Sequence, residues 1–148
     1  MTASSQGCTN LEVRRLDRAL TRHYDRYLSR AGLRNTQYAL LSAVLRLGPI
    51  RPSDLAGRLQ MDRSTLTRNL QPLVAQGWLH IGPGKDGRTR LVEITDEGTA
   101  ARTEARELWK QAQQTLGELL GPERVTEIHR LVGESLTLME AADTRKKE

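Results

Sequence analysis

The sequence contains no phenylalanine, and aromatic residues make up only 3% of its 148 positions. A sheet that stacks unpaired bases on aromatic side chains is therefore excluded, and with it the common single-strand and RNA-binding sheet domains. A lone cysteine, Cys8, cannot close an internal disulfide. With no second thiol and no paired histidines there is no zinc-ligand spacing either, so neither a metal nor a cofactor is expected. At 37% hydrophobic content no apolar run reaches the length of a membrane span. The leading MTASSQGCTN lacks the charged and apolar regions of a signal peptide, so a cytoplasmic location without a membrane partner is expected. Nucleophile turns, phosphate loops and metal-ligand spacings are also missing, which argues against an enzyme.

What is present is charge of one sign. The formal net charge is +5, which favours a polyanionic partner if the excess is concentrated. Between Arg51 and Arg90 seven Lys or Arg stand against three Asp, and the basic excess reads as lying largely in this segment. The length suits one domain, residues 1–148, with a real core.

The same segment has the most specific organisation. Pro52 suits a first helical position, and Leu55, Ala56 and Leu59 share one face of the helix it would open. Asp62 can cap a second helix in which Leu66, Leu70, Leu73 and Val74 form a buried stripe. Ser64 and Arg68 then fall opposite that stripe, with Thr65 and Gln71 on its flanks. Arg63 and Thr67 add to this short, polar, basic face, which suits the major groove because Arg can bond guanine bidentately. Trp78 to Ile81 and Thr89 to Thr95 alternate as strands, and Gly82, Pro83, Gly84 and Gly87 read as the turn between them. Lys85, Arg88 and Arg90 sit at or beside the tip with Asp86 as its one acid, so the tip must meet water or a polyanion. Two short helices followed by a basic hairpin make a winged helix-turn-helix. Pro72 falls inside the second helix, where it removes the bond to the Arg68 carbonyl and predicts a kink.

Asp86, Arg88, Leu91, Ile94 and Thr95 resemble the D-x-R and following strand of the MarR family of bacterial transcription regulators, with Ile94 where that family usually has Leu. LAGRLQMDRSTLTRNLQPLVAQGWL is similar to the family's helix-turn-helix, with Gly77 ending its recognition helix, and a weaker likeness continues through Leu33, Gln37, Tyr38 and Leu41. The resemblance implies a mainly α fold with a small β-hairpin wing, in which residues 35–95 are the DNA-binding module. Its DNA contacts would be Arg63, Ser64, Thr65, Thr67, Arg68, Gln71, Lys85, Arg88 and Arg90, with Asp86 supporting the wing.

Outside the module, Leu11, Leu16, Leu20, Tyr24, Tyr27 and Leu28 recur at helical spacing from about Asn10 to Gly32. A second helix from Asn35 or Thr36 would hold Leu40, Leu41, Val44, Leu45 and Leu47 until Gly48 and Pro49 stop it. Thr95 can cap a long helix beginning with Asp96 and Glu97, and Pro122 can open a last one with Val125, Ile128, Val132, Leu136 and Met139 along one side, before a fraying Thr144 to Glu148. The apolar stripes of 10–34 and 96–142 need a partner, and the resemblance supplies one: a homodimer through these helices, reading an inverted-repeat operator in double-stranded DNA.

In relatives a cleft between the dimerisation helices and the winged module often holds aromatic or phenolic acids. By that resemblance Arg15, His23, Tyr24, Tyr27, Tyr38 and Trp109 are candidates for a site binding a small aromatic carboxylate whose capture releases a repressor. Two alternatives differ in class. Cys8, just before the first helix, would make the chain a redox-switched repressor, whereas a winged module that never reads DNA would serve protein contacts.

Overall fold

A computed structural model describes residues 7–146. Helix α1 runs Thr9–Leu28 and passes through a short 3-10 turn, Ser29–Ala31, to Gly32, whose φ of 71° ends it in the left-handed region that glycine tolerates. Helix α2 (Asn35–Leu47) follows, then α3 (Pro52–Arg58), α4 (Arg63–Ala75), strands β1 (Leu79–Pro83) and β2 (Arg90–Ile94), and helices α5 (Asp96–Leu120) and α6 (Pro122–Arg145). None of the helices among the described residues is long and apolar enough to cross a membrane.

The chain divides into two compact units, one reaching to Gln111 and the other beginning at Ala112. In the first, Leu28, Leu33, Tyr38, Leu41, Val44, Leu55, Leu66, Leu70, Leu73, Leu79 and Val92 join one buried cluster with Ala105. Each helix of the helix-turn-helix thus turns one stripe inward and leaves the opposite face to water. The second unit consists of the end of α5 and α6, where Leu119, Leu131, Val132, Leu136, Leu138 and Met139 are exposed.

Local chemistry sets the element ends. Pro52 and Pro122 each occupy the first turn of a helix, where a missing N–H costs nothing. Thr95 does double duty: its hydroxyl donates to the Gly77 carbonyl (2.6 Å) and accepts from the Gly98 N–H (3.0 Å), so the end of α4, the end of β2 and the start of α5 meet at one oxygen. The strands pair antiparallel from Leu79 opposite Ile94 to Pro83 opposite Arg90. Ile50 extends the pairing, its N–H donating to the Val92 carbonyl at 3.1 Å and its carbonyl accepting from Val92 at 2.8 Å.

Several expectations need correction. Gly82 and Pro83 belong to β1 and not to the turn; a strand edge tolerates proline because no ladder partner needs its missing N–H. The wing loop is accordingly residues 84–89. Trp78, Thr89 and Thr95 lie outside the strands. Val74 is 37% exposed and Leu45 40% exposed, because helical spacing marks a stripe but not how far a neighbour covers it. At the C-terminus helix α6 continues to Arg145, so fraying does not begin at Thr144; residues 147–148 lie outside the described residues.

Candidate nucleic-acid interface

Helix α4 presents an exposed polar face. Asp62 caps it, accepting from the Thr65 N–H (2.6 Å) and the Ser64 hydroxyl (2.9 Å), and these bonds hold its carboxyl below the usual carboxylate range. Arg63, Ser64, Thr67, Arg68 and Gln71 are exposed, while Thr65 is half-buried. Some of their hydrogen-bonding capacity is used locally. Thr67 donates to the Arg63 carbonyl (2.9 Å), and the Arg68 guanidinium reaches the Thr65 hydroxyl at 3.5 Å. The guanidiniums of Arg63 and Arg68 and the amide of Gln71 are left as the groups long enough to reach a base edge.

Pro72 is exposed and the helix passes through it, closing with the Gln76 N–H on the Pro72 carbonyl (3.0 Å). The turn before α4 contains Gln60 at φ 51°, a left-handed residue that makes the corner between the two helices tight.

The wing is stiffened from within. Asp86 accepts from the Arg88 N–H (3.1 Å), the Thr89 N–H (2.9 Å) and the Thr89 hydroxyl (2.5 Å), and this triple acceptance lowers its pKa to about 2. A depressed carboxylate stabilises the loop fully above its unfolded value of 3.8, and that contribution fades as pH falls from there towards about 2. Asp86 therefore meets the Arg88 backbone, and among the described residues no ion pair joins it to the Arg88 guanidinium. Thr89, which sequence reasoning passed over, is its main partner. Lys85, Arg88 and Arg90 are all exposed.

Two clefts flank α4. One, of about 460 Å³, is lined by Thr67, Gln71, Val74 and Ala75 with Ile81 and Arg90 of the hairpin, so helix and wing share one concave surface. The other, of about 390 Å³, brings Arg68, Asn69 and Pro72 together with Arg34, Thr36 and Gln37 at the start of α2. Sequence reasoning did not select this α2 edge.

The candidate effector residues fall into three groups. Arg15 is ion-paired with Glu12 at 3.1 Å on an exposed turn of α1. His23 packs edge-on to Tyr24 (5.8 Å) and tilted to Tyr27 (5.5 Å), with Arg30 over the Tyr27 ring at 5.2 Å. Tyr38 stacks on Trp109 at 6.0 Å. The cation beside that stack is one the sequence did not point to: Arg102 lies over Tyr38 at 5.6 Å and donates from Nε to the Ser42 hydroxyl at 3.1 Å. Cys8 is exposed at the N-cap of α1. Among the described residues no group of three or more His, Cys, Asp or Glu could hold a metal ion.

The charge distribution also differs from its first reading. Residues 13–34 contain seven arginines against two aspartates, a net +5, which exceeds the +4 of residues 51–90. The basic excess is therefore not largely in the winged module; α1 and the turn after it hold as much.

Residues 31–89 match the MarR family pattern. The chain is 30% identical over 122 residues to the HTH-type transcriptional regulator PecS of Dickeya dadantii, covering 80% of this chain and 71% of that one. It is 36% identical over 75 residues to the multiple antibiotic resistance protein MarR of Salmonella typhimurium, covering 50% of this chain and 52% of that one, so the match spans about half the length of that relative. Among solved structures, the Mycobacterium tuberculosis transcriptional regulator MosR in complex with DNA is similar with a TM-score of 0.74 and 32% identity, covering 88% of this chain and 98% of that one. The helix-turn-helix, its capped second helix and the basic wing thus occur in a chain that belongs to the MarR family of transcription regulators.

Proposed function

We propose that this chain is a homodimeric, sequence-specific regulator of double-stranded DNA, acting as a repressor that a small aromatic carboxylate releases from an inverted-repeat operator. The observation that carries this reading is the exposed face of α4, which carries Arg63, Arg68 and Gln71, the last of them lining with Thr67 a groove shared with Arg90 of the wing. Lys85, Arg88 and Arg90 suit the phosphate backbone or the minor groove, where contact gives affinity and shape reading more than a base code. The relative MosR, determined with DNA, supports the partner class. Exposed apolar residues on α1 and α6, among them Leu11, Leu16, Leu131, Val132 and Leu136, support a second copy as their cover.

Arg68→Ala is expected to weaken specific binding by about 1 to 3 kcal/mol per half-site and to relax the preferred sequence, because a bidentate base contact is lost. Selection of bound duplexes from a random pool measures both. An unchanged preference would remove Arg68 from base reading.

For the effector, the Tyr38 and Trp109 rings with the Arg102 guanidinium supply the combination that an aromatic carboxylate requires: stacking for the ring and charge for the acid. Arg15 is committed to Glu12 and lies about 12 Å along α1 from His23. Benzoate is expected to raise the melting temperature and weaken DNA binding, as differential affinity for a non-binding state requires. Arg102→Ala should lose both responses and still bind DNA in the absence of benzoate. Loss of the response in Arg15→Ala alone would return the cation role to Arg15.

A further inference from the structure

The arginines of residues 13–34 are ordered as well as numerous. Arg14, Arg18, Arg22, Arg26, Arg30 and Arg34 recur at every fourth position, continuing from α1 through the 3-10 turn to the start of α2. Four-residue steps advance about 6 Å along a helix and turn only about 40° around it. Arg18, Arg22 and Arg26 therefore stay on one side, and all three are exposed. A hollow of about 440 Å³ borders this face, where Arg15, Arg18 and Arg22 meet Glu12, Ala19 and, at its far edge, Leu16 of the apolar side.

Which way the face points is fixed by one bond. The Asp25 carboxylate accepts from the Asn35 N–H at 2.6 Å, so the start of α2 lies on the Asp25 side of α1. Arg18, seven residues before Asp25, is within about 20° of it around the helix, Arg22 within about 60° and Arg26 about 100°. Arg18 and Arg22 consequently share a side with Arg34, with Arg26 at its edge, and Arg34 in turn lines the cleft with Arg68 of the reading helix. Acids do little to neutralise the track. Glu12 is held by Arg15, Asp25 by the α2 backbone, and among the described residues no ion pair engages Arg18, Arg22 or Arg26.

We infer that this track is a second phosphate-binding surface, continuous through Arg34 with the proposed operator interface, and that it takes the DNA backbone flanking the operator. The inference rests on the DNA-binding reading above. Guanidinium suits this partner because it pairs with phosphate bidentately and keeps its charge at any physiological pH. Each phosphate neutralised adds about 0.9 to the slope of log affinity against log salt.

The test compares duplexes of about 20 bp, enough for two half-sites one turn apart, with duplexes extended to about 40 bp, using mixed-sequence DNA and the full chain. The wild type should show a steeper salt slope on the longer duplex. R18A/R22A/R26A should lower that slope by about two to three per protomer, leave the short-duplex slope unchanged and keep its melting transition, since alanine favours helix. R18K/R22K/R26K, with charge retained, should keep the steep slope. Equal slopes for wild type and the alanine variant on the longer duplex overturn the inference, and if Arg88→Ala, which removes a proposed backbone contact of the wing, weakens the short duplex the DNA-binding reading stands without it. Retention of polyglutamate by wild type and not by the alanine variant, with equal DNA slopes, would assign the face to acidic protein and likewise overturn it. Failure of wild type to bind either duplex sinks the DNA-binding reading first.

Discussion

Removing the chain from Pro122 onward is expected to abolish the dimer and to lower operator affinity by about two to four powers of ten, although every residue of the reading helix and wing remains. The deletion takes away Leu131, Val132, Leu136, Leu138 and Met139, which are 44 to 71% exposed. A lone chain gains little from so much apolar surface in water, whereas a second copy that covers it gains roughly 25 cal/mol for each Å² removed from solvent. Each half-site contact is weak alone, and joining two converts the second into an intramolecular event. Light scattering on the eluting species and titration of operator DNA measure the two effects separately. A truncated chain that stays dimeric and binds as tightly as the full one places the dimer seam elsewhere.

Gly98→Ala should destabilise the fold by about 3 kcal/mol, lowering the melting temperature by about 6 to 12 °C. A Cβ built at Gly98 overlaps the Trp78 carbonyl and approaches Ile94 Cγ1 at 2.9 Å, so the first turn of α5 would have to leave the hairpin. The obstacle is backbone, which cannot rotate away as a side chain does. Helix propensity opposes this, since alanine is about 1 kcal/mol better than glycine inside a helix, but overlap is the larger effect. Gly117 in the same helix provides the control: a Cβ there meets nothing within 4 Å, and Gly117→Ala should therefore stabilise by about 1 kcal/mol. Thermal or denaturant unfolding compares the two. Equal effects of the same sign would mean that α5 does not dock closely at Trp78.

These two glycines illustrate what a sequence conceals. In sequence both are simply glycines of one helical stretch, and only the path of the chain at Trp78, twenty residues before Gly98, separates them. Features decided within a turn were legible: Asp62 and Thr95 as caps, Pro52 and Pro122 as helix openings, Gly32 as a stop. Each acts on neighbours three or four residues away, within reach of local spacing. The wing was legible as a hairpin but not in its bounds, because glycine and proline punctuate turns more often than they sit in strands. Arg102 with Tyr38 lay beyond such reading, since partners 64 residues apart meet only once α5 docks. The arginine track is a different kind of miss. Its every-fourth-residue repeat stands in the sequence, but helical spacing alone does not say which neighbouring element the repeat faces.

The hydroxyl of Thr95, held between the Gly77 carbonyl and the Gly98 N–H, bears on how the wing moves. The Thr95 N–H also donates to the Trp78 carbonyl at 3.0 Å, so separating β2 from the end of α4 breaks the first turn of α5 in the same event. Opening at this point is cooperative and never a fraying of one element alone. The tip, residues 84–89, is braced by its own Asp86 bonds, whereas the base of the wing and the root of α5 form a single foldon. Any disturbance reaching the first turn of α5 is therefore registered by the hairpin as a change in the probability of being assembled at all, without a displacement having to travel along it.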